Sequence, residues 1–262
     1  MHELLRKIKL MENGYVKTEH PQAALAAITF YHPKHNSLPS HLLSDLTEAI
    51  KEAGQQEAIQ VIVIKSAGNR TFCAGASFDE LLAIQDLEAG KKFFSGFANV
   101  INACRTCPKL IIGRVQGKAV GGGVGIAAAV DYCLATKYAA VKLSELNIGI
   151  GPFVIEPAVK RKIGLSAFSQ LAINANTFQS AAWAKDKGLY VNILEDTEQL
   201  DEAVDHLTNY LLSTNPEAQR LMKKTFWKGT DHWSDLLYER AAMSGKLVLS
   251  DYTKKALRKI PI

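Results

Sequence analysis

The sequence predicts an α/β fold in which strands alternate with helices as far as about residue 150 and helices dominate afterwards. Short runs rich in valine and isoleucine predict buried strands, and apolar residues recurring every three or four positions predict helices. Two glycine-rich segments, 71–77 and 120–125, each follow an apolar run and precede a predicted helix. A chain of 262 residues can bury a large core, as one α/β domain or as a domain with a helical appendage.

The first half of the chain contains most of the predicted strands. A turn at 20–22 is expected between the first two strands because proline and polar residues interrupt the apolar pattern there. The predicted elements are strands over 15–19, 25–30, 61–65 and 110–115, and helices over 41–53, 78–84 and 91–107.

The second half is predicted to be mainly helical. The triple glycine should open a helix that ends at Val130, and strands are expected over 132–135, 141–143 and 191–193. Further helices are predicted over 153–163, 167–173, 180–187, 197–213, 216–226, 231–249 and 251–259. We therefore divide the chain into a core, residues 1–190, and a helical C-terminal region, residues 191–262. Neither a sequence repeat nor a flexible linker is evident.

Composition is ordinary for a globular protein, with 47% hydrophobic and 22% charged residues. The formal net charge is +5, which mildly favours anionic ligands such as phosphates. Lysine and arginine are spread along the chain among acidic residues, so nucleic-acid binding is not predicted. No run reaches the roughly 18 apolar residues of a membrane span, and the first residues lack the apolar centre of a signal peptide. We expect a cytoplasmic protein without a membrane partner.

The four cysteines, at positions 73, 104, 107 and 133, are expected to be reduced thiols. Cys104 and Cys107 form a C-x-x-C motif, which is typical of zinc or redox sites. A structural zinc site needs a second pair of ligands at short spacing, and the sequence has none. We therefore predict no metal site.

The triple glycine at 121–123 has two interpretations. Glycine has no β-carbon, so a ligand can approach the backbone closely, but tight packing of a buried helix would also favour small residues. The N–H groups at a helix start lack partners and can hold developing negative charge. Two such donors, one from each glycine-rich segment, would form an oxyanion hole if they converged.

A competing motif overlaps the triple glycine. Residues 123–128 fit the G-x-G-x-x-A fingerprint of nicotinamide dinucleotide binding, with Glu145 about 20 residues further on. That fingerprint normally forms the first turn after a strand, whereas residues 116–122 separate this one from the strand at 110–115. An NAD-dependent dehydrogenase therefore remains an alternative with little support.

Taken together, four motifs resemble those of the crotonase superfamily, the enoyl-CoA hydratase/isomerase family. Their order and spacing are similar to the family's over about residues 15–190. They are HPKHNSL at 32–38, NRTFCAGA at 69–76, VQGKAVGGG at 115–123 and LSELNIG at 143–149. The resemblance implies a ββα spiral core of the crotonase (ClpP-like) type and a helical C-terminal trimerisation region. It also implies a homotrimer or a hexamer.

The resemblance implies roles for individual residues. The backbone N–H groups of Ala76 and Gly122 would bind the thioester oxygen of an acyl-CoA, and Glu145 would be the general acid/base. The positions implied in substrate or CoA binding are Ala74, Lys34, His35, Gly75 and Gly121. No cofactor is expected, because coenzyme A is part of the substrate.

The sequence departs from the family pattern in three places. Family hydratases carry a second glutamate where this chain has Gly125, and residues 152–159 replace a glycine-rich PGAGGTQRL pattern with PFVIEPAV. Ser77 stands where an aspartate is usual. The candidates to replace the missing carboxylate are Asp79, Glu80 and Glu156.

A single carboxylate resembles the double-bond isomerases of the family. We therefore predict proton transfer at C2 of an acyl-CoA and favour isomerisation. Hydration of a 2-enoyl-CoA, another crotonase-type reaction and non-catalytic acyl-CoA binding remain alternatives.

Overall fold

The computed structural model describes residues 12–259, in which strands and helices alternate before a helical C-terminal part. The strands are β1 Tyr15–Gln22, β2 Leu25–Tyr31, β3 Val61–Ser66, β4 Thr71–Cys73, β5 Leu110–Val115, β6 Lys118–Val120, β7 Tyr132–Thr136, β8 Val141–Lys142 and β9 Asn192–Leu194. The helices are α1 Ser40–Gln55, α2 Phe78–Ala83, α3 Leu87–Thr106, α4 Gly122–Ala129, α5 Glu156–Ile173, α6 Ala181–Asp186, α7 Thr197–Leu212, α8 Pro216–Phe226, α9 Trp233–Val248 and α10 Asp251–Leu257. A 3-10 helix covers Glu145–Ile148.

Two sheets are built from three successive ββ units. The main sheet has the order β1-β2-β3-β5-β7-β9, and the small sheet has the order β4-β6-β8. The pairs β3 and β4, β5 and β6, and β7 and β8 each place one strand in the main sheet and the next in the small sheet. All pairings are parallel except that of β1 with β2. This repeat is the ββα spiral that the resemblance implies, although no sequence repeat indicates it.

The main sheet is apolar on both faces because it separates two hydrophobic clusters. In β3, Ile62 and Ile64 face the larger cluster, whereas Val61 and Val63 face the smaller one. Leu200 of α7 completes the smaller cluster. Side chains alternate between the faces of a strand, so a strand buried on both faces is continuously apolar, as the valine and isoleucine run predicts.

The C-terminal helices pack onto the core. A β-carbon at Gly90 of α3 would lie 2.8 Å from the Cα atom of Gly245 in α9, so the two helix backbones touch at these glycines. Strand β9 lies beyond the predicted boundary at residue 190, yet it pairs with β7 in the main sheet. The main sheet therefore includes residues from both predicted regions.

Three local predictions differ from the structure. β1 continues through Gln22, so the predicted turn at 20–22 is wrong and the chain turns between Gln22 and Leu25. Strands β4 and β6 were not predicted, because three residues are too short for a periodic pattern. The helices predicted over 153–163 and 167–173 form one element, which is interrupted at Gly164 with φ 75°.

No helix within residues 12–259 is long and apolar enough to cross a membrane.

Candidate active site

The glycine-rich segments meet at a largely apolar pocket of about 630 Å³, counting its open mouth. The carboxyl ends of two strands of the small sheet lead into it: β4 leads into residues 74–76, and β6 leads into Gly121 and Gly122. Glu145 lines the same pocket from the start of the 3-10 helix that follows β8. Parallel strands place their carboxyl ends at one edge, so three segments distant in sequence converge there.

Among the described residues that line this pocket, Glu145 is the one with an ionisable side chain. Its Oε2 atom is buried and has no hydrogen-bond partner within residues 12–259. A β-carbon at Gly121 would lie 2.9 Å from Oε1 of Glu145, so the carboxylate lies directly against the glycine backbone. Desolvation by burial raises the pKa of Glu145 from 4.5 to about 7. This carboxyl can therefore both accept and return a proton near neutral pH.

The backbone at Gly121 has an unusual conformation at the start of α4. Gly121 has φ 52° and ψ −119°, a conformation that only glycine adopts readily, and it precedes the first residue of α4. Its own N–H donates to the Lys142 carbonyl at 2.9 Å. The N–H of Gly122 has no protein acceptor within the described residues, as expected for the first residue of a helix.

The glycine-rich segment at 71–77 lies beside the one at 120–125. A β-carbon at Gly75, which has φ 91°, would lie 3.6 Å from the Gly122 nitrogen. The Gly75 carbonyl accepts from Leu38 N–H at 2.8 Å, while the N–H of Ala76 has no acceptor in the described part of the chain. Ala74, Gly75 and Ala76 all line the pocket. The residues that carry the two candidate oxyanion donors thus line one cavity, and neither N–H group has an acceptor within residues 12–259.

Aromatic and aliphatic side chains form the rest of the pocket wall. Phe97 of α3 packs on Gly122, where a β-carbon would lie 2.5 Å from its Cζ atom. Phe153 and Ile155 line the pocket from the segment that departs from the family's glycine-rich pattern. Ser244 of α9 also lines it, a contribution that the sequence did not indicate. The Gly90–Gly245 contact brings α9 close enough to do so.

Ile155 occupies the space in front of Gly125. A β-carbon at Gly125 would lie 2.9 Å from the Ile155 β-carbon and closer still to its Cγ2 atom. Any side chain at position 125 would therefore collide with Ile155. The two departures from the family pattern, at 125 and 155, depend on each other through this contact.

The three candidates for a replacement carboxylate all have other partners, and none lines the pocket. Asp79 pairs with Lys34 at 2.5 Å. Glu80 accepts from the backbone N–H and the hydroxyl of Ser40, at 2.9 and 2.6 Å, at the start of α1. Glu156 pairs with Lys160 at 2.5 Å and lies 3.8 Å from Arg240. No second carboxylate therefore faces Glu145 among residues 12–259.

Lys34 and His35 lie outside the pocket, in the exposed turn between β2 and α1. The His35 carbonyl accepts from Ala74 N–H at 3.2 Å, so the turn is fixed to the glycine-rich segment that it was predicted to neighbour. Ser77 does not line the pocket. Its hydroxyl accepts from Glu80 N–H at 3.4 Å, as the N-cap of α2.

The other motifs have structural explanations. Residues 123–128, which fit the dinucleotide fingerprint, lie entirely inside the buried helix α4. A β-carbon at Gly123 would lie 2.6 Å from the Cys73 carbonyl oxygen, so packing accounts for this glycine. In the described part of the chain, no group of three His, Cys, Asp or Glu side chains could hold a metal ion.

The buried Glu145 carboxyl should make stability depend on pH. Its folded-state pKa of about 7 lies above 4.5, so between these values the folded chain binds more protons than the unfolded chain. The free energy of unfolding therefore falls as pH rises through that window. Glu145→Gln removes this titration. The free energy of unfolding of the variant, relative to wild type, should therefore be about 3 kcal/mol higher at pH 8 than at pH 4.5.

Urea unfolding of both proteins at the two pH values measures this gain. A stability difference that does not change with pH would contradict the burial of this carboxyl.

Fold and site together define a class of protein: an α/β spiral in which two glycine-rich segments and one carboxylate line a shared, largely apolar pocket. The family model described as enoyl-CoA hydratase/isomerase matches residues 20–258. The chain belongs to this family of enzymes, which confirms the resemblance seen in the four motifs.

Named relatives and solved structures agree with this assignment. The chain is 28% identical over 210 residues to the short-chain-enoyl-CoA hydratase of Clostridium acetobutylicum, covering 79% of each protein. It is 30% identical over 201 residues to the mitochondrial methylglutaconyl-CoA hydratase of Mus musculus, covering 75% of this chain and 63% of that protein. An enoyl-CoA hydratase structure from Bacillus halodurans superposes with a TM-score of 0.87 at 23% identity, covering 94% of this chain and all of that one, which shows a shared fold.

Proposed function

We propose that this protein isomerises the double bond of a 3-enoyl-CoA to give the conjugated 2-enoyl-CoA. The observation that carries the proposal is the single buried carboxylate, Glu145, in an otherwise apolar pocket next to two free backbone N–H groups. Such a site can move one proton between two carbons of a bound thioester without water or a second acid.

The reaction would proceed through a dienolate. The thioester oxygen accepts hydrogen bonds from the N–H groups of Ala76 and Gly122, and the Glu145 carboxylate removes a proton from C2. The electron pair of that C–H bond delocalises onto the thioester oxygen, where the two donors stabilise the charge. Glu145 then delivers the same proton to C4, and the double bond moves from C3–C4 to C2–C3.

The contact between Gly125 and Ile155 supports isomerisation over hydration. Family hydratases use a glutamate at the position of Gly125 together with the other carboxylate to orient a water molecule. Here Ile155 fills that space with apolar atoms, and no other carboxylate lines the pocket. A water at this place would lack the hydrogen-bond acceptors that an ordered buried water needs.

The pocket wall favours an acyl group without charge. The part of the chain that the structure describes contributes no lysine or arginine to the pocket lining, which includes Phe78, Leu81, Phe94 and Val154. A carboxylate on the acyl chain would be buried without a counter-ion, which is costly. We therefore propose an apolar acyl chain as the substrate class.

Hydration of a 2-enoyl-CoA is the second candidate. It is favoured by the names of the relatives, since the Clostridium and mouse proteins are both called hydratases.

An ultraviolet assay separates the two candidates. The purified protein is supplied with a 3-enoyl-CoA and, separately, with the 2-enoyl-CoA of the same chain length. We expect absorbance of the conjugated thioester to appear from the 3-enoyl substrate and to remain largely unchanged with the 2-enoyl substrate.

Loss of absorbance from the 2-enoyl substrate at a comparable rate would replace isomerisation by hydration. Silence on both substrates would refute both reactions.

A further inference from the structure

We propose that a basic pocket at the amino-terminal edge of the main sheet binds a small anion of the phosphate class. We call this cavity the basic pocket; it has a volume of about 1170 Å³, counting its open mouth. Its lining includes five cationic side chains, Arg105, Arg220, Lys223, Lys224 and Lys228. Within residues 12–259, Asp231 is the one carboxylate that lines it.

The basic pocket is separate from the candidate active site. Pro108, which lines it, lies just before β5, whereas Gly122 lies beyond the carboxyl ends of β5 and β6. Helix α4 starts at Gly122 and runs back toward Asp131, which is bound to Lys223. Its eight residues span about 12 Å, so a small anion cannot reach both sites.

Arg105 is the cation of the basic pocket that is best placed to bind an anion. Only 8% of this residue is exposed. Its Nε atom donates to Asn102 at 3.1 Å and its Nη2 atom to Ser234 at 2.8 Å, and both acceptors are neutral. Within residues 12–259, no carboxylate lies within 4 Å of its guanidinium, and Nη1 has no acceptor. The negative charge of Asp231 acts on this guanidinium. Nη1 is not among the buried atoms without a partner, so it is open to solvent and can donate to an anion in the pocket.

Two of the other cations already have buried or local partners. Lys223 is 2.6 Å from Asp131, which also accepts from the indole N–H of Trp227 at 2.8 Å. Arg220 forms a fork with Glu217, whose oxygens lie 2.5 and 2.8 Å from its nitrogens. These pairs are electrically neutral and leave the pocket's charge to the remaining groups.

The remaining ionisable groups that line the basic pocket have a net charge of +2. Lys224 and Lys228 are exposed, and no carboxylate lies within 4 Å of either among the described residues. Together with Arg105 they carry three positive charges, against which only Asp231 lines the pocket. A phosphate dianion matches this excess, and its oxygens accept hydrogen bonds from a guanidinium and ammonium groups at once.

The C-x-x-C motif forms part of this wall. Cys107 lines the basic pocket, and the carbonyl of Cys104 accepts from Lys223 Nζ at 2.8 Å. Both cysteines of the motif are buried as free thiols.

Thermal unfolding in inorganic phosphate tests the proposal. The full chain is unfolded in increasing phosphate at constant pH, with chloride adjusted to hold ionic strength, since salt alone screens surface charge. We expect the unfolding midpoint of the wild type to rise with phosphate and to saturate, because a ligand that binds only the folded state stabilises it.

A pair of charge-matched double variants locates the effect. Lys224→Gln with Lys228→Gln should lose most of the phosphate-dependent shift. Lys92→Gln with Lys246→Gln removes the same charge from exposed positions outside the basic pocket and should keep the shift.

An equal shift in the two double variants, or no saturable shift in the wild type, would overturn the proposal. The test uses no acyl-CoA, so its result does not depend on the proposed reaction.

Discussion

Glu145→Gln should reduce kcat for enoyl-CoA isomerisation by about 10²–10⁴-fold, the range typical of a positioned acid–base group. The amide keeps the shape of the side chain but cannot accept the C2 proton. Substrate binding should change little, because the N–H groups of Ala76 and Gly122 belong to other segments. Steady-state kinetics on a 3-enoyl-CoA therefore should show the loss in kcat rather than in KM.

Glu156→Gln is the matched control for this loss. Its carboxylate pairs with Lys160 and does not line the pocket, so turnover should stay within about twofold of wild type.

The wild-type kcat/KM should also rise with pH through about 7, as the carboxyl of Glu145 ionises. Full activity in Glu145→Gln would refute its role as the proton carrier.

Gly125→Glu combined with Ile155→Gly should create hydration activity that neither single substitution creates. Gly125→Glu alone drives a side chain into Ile155, which should cost about 1–3 kcal/mol of stability. Ile155→Gly alone leaves a cavity and should cost about 2–5 kcal/mol. Ile155→Gly removes the atoms with which the side chain at 125 collides, and that side chain fills the cavity at 155. The double variant should therefore be about 0.5–3 kcal/mol more stable than the sum of the two single losses predicts.

The functional measurement is the rate at which a 2-enoyl-CoA loses its conjugated absorbance. In the double variant this rate should rise about tenfold or more, because a second carboxylate can now orient water. Gly125→Gln with Ile155→Gly has the same shape but lacks the carboxylate, so it should not gain hydration activity. A gain of equal size in the glutamine variant, or a wild type that hydrates as fast as the double variant, would contradict this account of Gly125 and Ile155.

Much of the site could be predicted because its residues lie in short motifs. Gly75, Ala76, Gly121 and Gly122 all line one pocket with Glu145, as the resemblance implied. What the motifs could not indicate was the surroundings of each group. The pKa of Glu145 depends on the apolar atoms that bury it, and these come from segments scattered along the chain.

Other parts of the site depend on contacts between distant helices. Phe97 belongs to an apolar stripe on α3, and nothing in that stripe distinguishes the residue packed on Gly122 from its neighbours in the core. Ser244 reaches the pocket only because Gly90 and Gly245 let two helices touch. The sequence pattern at Gly125 indicates that the second carboxylate is absent. It does not indicate why Asp79, Glu80 and Glu156 fail to replace it, because their partners are known only from the folded structure.

The alternation of strands and helices, the family and one candidate carboxylate could be predicted from local periodicity and motif order. Folding was needed to show that three ββ units form two sheets, that Ile155 closes the space at Gly125, and that a basic pocket lies at the opposite edge. Burial, steric exclusion and the balance of charge in a cavity are set by groups that folding brings together from distant parts of the chain. The order of residues in the sequence does not give the spatial distances between such groups.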